Sequence, residues 1–330
     1  LSDEELLPEG REYGKRVSTG GASTTAQTQE EKESSEELES TSTFDPNSDV
    51  FGLHHGDARS IVPAIRDHTA DALDEEQGFV DTTITSPPYY DLKEYGSSEE
   101  NEIGQHGSYV EYLQELQDLF SEVYSLTRDD GSLWIVVNTF RRNREIVQLP
   151  FDIARVCQNL DQGLECSNCE NTILRGVDEL DSRQTTCPHC GHTTNNDESW
   201  ILQDIVVWNK NRALPYTKEG RLRNVFEYIL CFSKSPDYKL QMDRIRESNP
   251  AQFKKWWADF PERYHPLGKL PENIWEFDPP TRGSFTGEVD VFDHPAAFPP
   301  KLIERILTLS TESDDVVLDP FAGSGVVLGQ

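Results

Sequence analysis

The chain has 330 residues, with 60 acidic against 30 basic side chains, a net charge of −30 and a pI near 4.5. Acidic residues run along its whole length and arginine outnumbers lysine, which reads as a solvated surface suited to a salt-rich cytoplasm. No run of about 18 apolar residues occurs, which excludes a helical membrane span; no secretory leader pattern is present, and the length suits one domain plus a smaller module.

Residues 1–47 are rich in Glu, Ser and Thr without apolar periodicity. Such a stretch buries too little apolar surface to offset its ordering entropy and is expected to be disordered. Order is expected from Val50: Val50, Leu53 and His55 suggest a strand that ends at Gly56-Asp57. Ser60 to Arg66 then suggests a short helix with Ile61, Ala64 and Ile65 on one side, for which Asp57 suits an N-cap. Thr69 to Gly78 is acidic and suggests a loop insertion.

Val80, Thr82 and Ile84 alternate with Asp81, Thr83 and Thr85, and these β-branched residues favour a strand. Pro87 and Pro88 stop it, since neither donates to a sheet ladder and each fixes its own φ. Ser86 supplies a hydroxyl, Pro87 a carbonyl that no helix or sheet needs, and Tyr89 and Tyr90 flat faces. Open α/β sheets bind ligands at the carboxyl ends of strands. Acceptors beside a stacking surface there suit a planar base with an exocyclic amine. An ordinary strand exit with a buried tyrosine is the competing reading.

Ser108 to Thr127 has helical spacing, with Ser108 as N-cap and Glu111 as capping-box partner. Asp130-Gly131 suggests a closing turn, and Ser132 to Val137 a buried strand. Leu149 to Leu160 suggests a helix, and Ile201 to Trp208 and Val225 to Phe232 two further strands. Strand and helix in repeated alternation imply an α/β, doubly wound, mostly parallel sheet covered on both faces.

Cys166-Ser167-Asn168-Cys169 and Cys187-Pro188-His189-Cys190 form two knuckles at close to zinc-ribbon spacing. Each turn points two thiolates at one point, and two turns complete a tetrahedron. A structural zinc held by Cys166, Cys169, Cys187 and Cys190 is expected, with His192 as a substitute ligand. Disulfides are the alternative, disfavoured in a reducing cytosol. Cys157 and Cys231 suit buried small positions.

Between Pro236 and Asp293 periodicity breaks down. Lys239, Arg244, Arg246, Lys254, Lys255, Arg263, Lys269 and Arg282 stand there among Trp256, Trp257, Tyr264 and Trp275. Basic and aromatic side chains interleaved in this way suit nucleic-acid contact; a solvated surface over a small aromatic core is the alternative. His294 to Pro299 leads into a helix from Lys301 to Leu309. Val316-Val317-Leu318-Asp319-Pro320-Phe321-Ala322-Gly323-Ser324-Gly325 then reads as a buried strand, an acidic end and a glycine turn. Glycines let backbone approach a ligand closely, and the pattern is not the G-x-G-x-x-G dinucleotide turn.

Taken together, Ser86-Pro87-Pro88-Tyr89 and Asp319-Pro320-Phe321-Ala322-Gly323-Ser324-Gly325 resemble the catalytic and cofactor motifs of the DNA amino-methyltransferases. The catalytic motif comes first, as in the permuted β class, and the resemblance covers Val50 to Gln330. It implies the S-adenosylmethionine-dependent methyltransferase fold in circularly permuted order, with the zinc ribbon as an insertion. It implies S-adenosylmethionine as cofactor, held by Asp57 beside the adenine, by Asp319, Pro320, Phe321, Ala322, Gly323 and Gly325, and by a pocket lined by Phe298. It implies catalysis by Ser86, Pro87, Pro88 and Tyr89 on a base flipped from double-stranded DNA. A cognate restriction endonuclease is the implied partner, and the cytoplasm the implied location.

Serine before Pro-Pro-Tyr resembles the cytosine-N4 enzymes, whereas adenine-N6 enzymes more often carry Asp or Asn there. Adenine N6, an RNA or protein amine, and a non-catalytic zinc-ribbon DNA-binding protein are the alternatives. The acidic surface opposes phosphate binding, although high salt screens that repulsion within a few ångströms. The expected organisation is a 1–47 tail, a first catalytic half (48–160), the zinc ribbon (161–199), the sheet continued (200–235), target recognition (236–293) and a cofactor segment (294–330). The resembled family continues past the glycine turn into a helix and an acidic-ended strand, so the sequence, which starts at Leu1, reads as part of a longer protein.

Overall fold

The computed structural model describes residues 52–73, 78–90, 103–104, 107–159, 163–166, 168–169, 171–174, 184–195, 199–211, 222–247, 265–279, 298–323, 325–327 and 329. The expected tail, and Lys254, Lys255, Trp256, Trp257, Arg263, Tyr264 and Arg282, lie outside these residues. In chain order the elements are α1 (Ala58–Leu73), β1 (Val80–Thr85), α2 (Tyr109–Leu126), β2 (Thr127–Val137), β3 (Phe140–Arg142), β4 (Glu145–Val147) and α3 (Leu149–Cys157). There follow β5 (Gly163–Glu165), β6 (Thr172–Leu174), β7 (Gln184–Thr186), β8 (Thr193–Asn195), β9 (Ile201–Asn209), β10 (Phe226–Ser233), β11 (Ile274–Glu276), α4 (Pro300–Ser310) and β12 (Val317–Leu318).

Six strands form one mixed, mostly parallel sheet in the order β11-β9-β10-β2-β1-β12. β1 runs parallel to both β2 and β12, and β11 parallel to β9. β10 is antiparallel to β2 and to β9. Side chains alternate across the sheet, because successive residues of a strand face opposite sides. Leu133, Ile135 and Val137 join a core with Leu116, Phe120 and Val123 of α2 and Ile153 of α3. Trp134 and Val136 join a second core with Leu302, Ile303, Ile306 and Leu309 of α4. Helices therefore cover both faces, and β1, buried at every position, lies between them.

Ser108 caps α2 as its sequence implies: its Oγ accepts from the Glu111 amide at 3.2 Å, and the Ser108 amide donates back to Glu111 Oε2 at 2.5 Å. α1 is tied to α2 by Arg59 to Glu115 at 2.7 Å and by Arg66 to Glu122.

Four expectations are corrected. No strand precedes Gly56 in residues 52–57; Leu53 is exposed, and an extended run without a ladder partner leaves its backbone to water. α1 is longer than Ser60 to Arg66 and takes in the start of the expected loop. Thr69 is buried in it and donates from Oγ1 to the Ile65 carbonyl at 2.7 Å. Asp130-Gly131 is not a turn. β2 starts at Thr127, directly after α2, and its pairing with β1 jumps from Val80↔Thr127 to Thr82↔Ser132, an irregularity that holds both residues within the strand. A Cβ at Gly131 would lie 2.5 Å from Thr127 Cγ2 and 2.9 Å from the Asp81 carbonyl, so only glycine fits that close approach. α3 ends at Cys157, short of Leu160.

At the end of the sheet away from the prolines, Asp81 is buried and holds two elements at once. Its Oδ1 accepts from Lys239 Nζ at 3.1 Å and its Oδ2 from the Val316 amide at 2.9 Å, while Lys239 also reaches Asp315 at 2.7 Å. Asp81→Ala removes one side of each contact and is expected to cost about 2 kcal/mol, the worth of a buried hydrogen bond to a charged group. Urea unfolding measures this; an unchanged midpoint would show that β12 does not depend on Asp81.

Candidate active site

Both motifs stand at the carboxyl ends of neighbouring parallel strands. Pairing of Thr82 with Val317 and Thr83 with Leu318 puts Thr85, the last residue of β1, beside Asp319, the first after β12. Thr85 Oγ1 donates to Asp319 Oδ1 at 2.7 Å, and the Phe321 amide donates to the same oxygen at 3.0 Å. Oδ2 is buried without a hydrogen-bond partner among the described residues. Burial pushes the Asp319 carboxyl up to about 6, against the lowering effect of the Thr85 and Phe321 hydrogen bonds. A desolvated carboxylate oxygen is costly, and this one is suited to a donor or cation brought by a ligand.

The glycine turn follows at once. The Gly325 amide donates to the Ala322 carbonyl at 2.7 Å, and Gly323 and Gly325 have φ of 51° and 73°, the left-handed region glycine enters without strain. Val326 and Val327 return to the second core.

On the β1 side, Pro87 is buried, and Ser86, Pro88 and Tyr89 are half-buried. Tyr112 OH donates to the Pro88 carbonyl at 2.8 Å, so α2 fixes the loop directly. Tyr90 is buried and donates to the Gly107 carbonyl at 2.9 Å; its ring lies 5.4 Å from Tyr109 and 5.5 Å from Tyr112. Tyr109 in turn donates to Asp152 Oδ2 of α3 at 2.7 Å, and burial, first, then the Asp152 carboxylate raise its phenol well above the usual range. Tyr90 is therefore a structural anchor, as the competing reading had it for one tyrosine. Tyr89 packs at the edge of the core that also takes Leu318 and Phe321. Thr85, Tyr109 and Tyr112 were not singled out from the sequence. Thr85 carried a signal nonetheless: it is a polar residue at the end of a strand that could only be buried.

The other expected cofactor residues are placed differently. Asp57 caps α1, with Oδ1 accepting from the Arg59 amide at 2.9 Å, and its carboxylate pairs with the Arg59 guanidinium at 2.7 Å. Burial raises its pKa, but the Arg59 contacts outweigh that and hold it below the usual carboxylate range. Phe298, just before α4, packs against the second core, which also receives Val326 and Val327 from beyond the glycine turn.

The two cysteine knuckles converge. The sulfurs of Cys166, Cys169, Cys187 and Cys190 all lie within 4.8 Å of one another, with Cys166 to Cys190 at 3.7 Å and Cys169 to Cys187 at 3.6 Å. Sulfurs in a tetrahedron about 2.3 Å from a zinc ion stand roughly 3.8 Å apart, and a disulfide would need about 2.0 Å. All six cysteines are free thiols. Each knuckle is closed by backbone: the Cys169 amide donates to Cys166 at 3.3 Å and the Gly191 amide to Cys187 at 2.9 Å. Asn171 Nδ2 donates to Cys169 Sγ at 3.2 Å and draws that thiol down to about 6. His192, the expected substitute ligand, stands outside the thiol group. The four cysteines can hold a metal ion.

The expected basic surface at 236–293 is not a free one where it is described. Lys239 is engaged by Asp81 and Asp315, Arg244 by Glu312, Arg246 by Asp243 and the Gly268 carbonyl, and Lys269 by Glu247 and Glu272. Trp275 is buried and stacks on Trp134 at 6.3 Å. Among the described residues no helix is long and apolar enough to cross a membrane.

The chain is similar in sequence to known DNA methylases. The N6/N4 DNA methylase family model matches residues 80–328. The type II methyltransferase M.Cfr9I of Citrobacter freundii is 27% identical over 281 residues, covering 83% of this chain and 77% of that protein. The type II methyltransferase M.BglII of Bacillus subtilis is 36% identical over 283 residues, covering 85% of this chain and 62% of that protein. A solved structure of the PvuII DNA methyltransferase, described as cytosine-N4-specific, aligns over 83% of this chain and 75% of that one at 16% identity, with a TM-score of 0.49. With a family model matched over most of its length and the two motifs joined at adjacent strand ends, the chain belongs to the N6/N4 DNA methylase family.

Proposed function

We propose that the chain methylates the exocyclic N4 of cytosine in duplex DNA, with S-adenosylmethionine as methyl donor. The observation that carries this reading is the Thr85–Asp319 hydrogen bond, which fastens the Ser86–Tyr89 loop to the glycine turn. The buried Oδ2 of Asp319 and the open approach at Gly325, where no described residue lies within 4 Å of a Cβ, fit a ligand that brings donors or positive charge against the turn. Asp319 to Gly325 would hold the cofactor, with Phe298 along its pocket and Asp57 toward its adenine. S-adenosylmethionine, when bound, supplies an electrophilic methyl group on a sulfonium.

The chain's own residues act on the amine. A cytosine N4 lone pair is delocalised into the ring and is a poor nucleophile. Ser86 Oγ and the Pro87 carbonyl would accept the amine hydrogens, favour a pyramidal nitrogen and release that lone pair. Holding both reactants aligned lowers such a barrier by about 7–11 kcal/mol, so no covalent intermediate with the chain is needed. The base must leave the duplex at a cost of a few kcal/mol, and stacking on Tyr89 offsets about 1–3 kcal/mol of it. Ser86 is short and neutral, which favours cytosine N4 over adenine N6. Target recognition falls to Lys254, Lys255, Trp256, Trp257, Arg263, Tyr264 and Arg282, and a cognate restriction endonuclease is the proposed partner. Zinc is the proposed occupant of the four cysteines, in a structural role because no coordination position is left open.

Incubation with duplex DNA and labelled S-adenosylmethionine, then digestion to nucleosides and mass spectrometry, tests the reaction. N4-methylcytosine is expected, and Ser86→Ala should lower its yield by about 10²–10³, by analogy with the loss of one positioned hydrogen-bond donor at a reacting centre. N6-methyladenine as product would overturn the choice of base, and an unlabelled duplex beside labelled RNA would overturn DNA as substrate.

The Asp319 carboxyl is raised from its unfolded value, so its contribution to stability is full below about pH 4 and is lost as the pH rises toward 6. Asp319→Asn should therefore gain stability relative to wild type between about pH 4 and 7, by up to roughly 3 kcal/mol, and level off above that. Urea midpoints across this range give the difference, and a flat profile would mean the carboxyl is not desolvated.

One zinc per chain is expected by atomic emission, with Cys169→Ser reducing it to a small fraction. A metal-free protein with two disulfides would contradict the assignment.

A further inference from the structure

We propose that the β3–β4 hairpin is a phosphate-contact element that docks duplex DNA against the catalytic loop. This rests on the reading of duplex DNA as substrate. The hairpin, Phe140 to Val147, follows β2 at the catalytic end of the sheet and carries Arg141, Arg142 and Arg144 against a single acid, Glu145. In a chain of net charge −30 that is a local reversal of sign. Arg141, Arg142 and Arg144 are all exposed. Among the described residues Arg141 and Arg144 form no ion pair, whereas the described cations of 236–279 are drawn onto acidic partners of the same chain.

The root of the hairpin is rigid and shared with the active site. Phe140 is buried and meets the Tyr109 ring edge-on at 6.4 Å, and Tyr109 packs on the same Tyr90 and Tyr112 that hold the proline loop. Arg142 lies 5.0 Å over the Tyr90 ring, one residue from the proposed stacking face of Tyr89. Arg141 Nη1 donates to the Arg144 carbonyl at 3.0 Å, which folds its guanidinium back over the turn. A phosphate gripped by this tip would be fixed relative to Ser86, because one aromatic cluster carries both.

The turn itself breaks a local rule. Asn143 and Arg144 have φ of 51° and 72°, the geometry of a two-residue hairpin turn that favours Asn-Gly. Glycine would occupy the second position without strain, and the chain places an arginine there. A residue kept against backbone preference at an exposed, basic tip points to a contact made outside the chain.

Fluorescence anisotropy with a labelled duplex of mixed sequence, titrated over a range of salt, tests this without knowledge of the recognition sequence. Each lost phosphate contact lowers the slope of log affinity against log salt by about 0.9. Arg144→Gly should lower the slope by about 1 and weaken binding about tenfold at 0.1 M salt, and Arg141→Gln with Arg144→Gly should lower the slope by about 2. The urea midpoint of Arg144→Gly should equal or exceed that of wild type. If it falls, Arg144→Asn, which tolerates the same φ, serves as the folded variant with the same expectation. Wild-type slope and affinity in a folded variant, with wild type binding and methylating DNA, would overturn the hairpin's role alone. Wild type that neither binds nor methylates duplex would overturn this inference together with the reading it rests on.

Discussion

Two strands separated by more than two hundred residues, β1 and β12, lie side by side and parallel, and one hydrogen bond from Thr85 to Asp319 closes their carboxyl ends. The proposed methylase site depends on that closure. A parallel pair delivers two loops to the same end of a sheet, so the Ser86–Tyr89 loop and the glycine turn start from adjacent backbone positions. Asp81 does the corresponding work at the other end, holding the Val316 amide and Lys239 where β12 enters the sheet. The pair is thus pinned at both ends by carboxylates from opposite partners.

The aromatic cluster of Tyr90, Tyr109 and Tyr112 is the second support. It takes the free Pro88 carbonyl, binds α2 to α3 through Asp152, and seats the arginine hairpin. Rigid positioning of this kind matters because an amine with a delocalised lone pair reacts only when its hydrogens and its lone pair are both directed. It also separates two neighbouring tyrosines by role: Tyr90 is spent on the fold, and Tyr89 stays at the rim.

What the sequence disclosed was whatever is encoded locally. Ser108 and Glu111 cap their helix within four residues, Pro87-Pro88 ends its strand, and the knuckles carry all four thiols at readable spacing. What it withheld depends on partners far along the chain. Asp130-Gly131 has turn chemistry, yet the approach of Asp81 and Thr127 holds it in β2. Leu53 and His55 have strand character, but among the described residues no neighbour completes a ladder. Lys239 and Arg244 looked like a basic surface because Asp81, Asp315 and Glu312, which engage them, are up to 158 residues away. The arginine hairpin was overlooked for the opposite reason: three cations in one short stretch mean little until the fold sets them beside the proposed catalytic loop.

The most direct test is a crystal structure of the protein with S-adenosylhomocysteine bound. The account predicts the ligand's sulfur in the gap between the Asp319–Gly325 turn and Ser86, with the Thr85–Asp319 bond retained and Tyr89 facing the space beside it. A ligand bound away from that gap, or a Tyr89 ring turned into the core with the cofactor present, would contradict it.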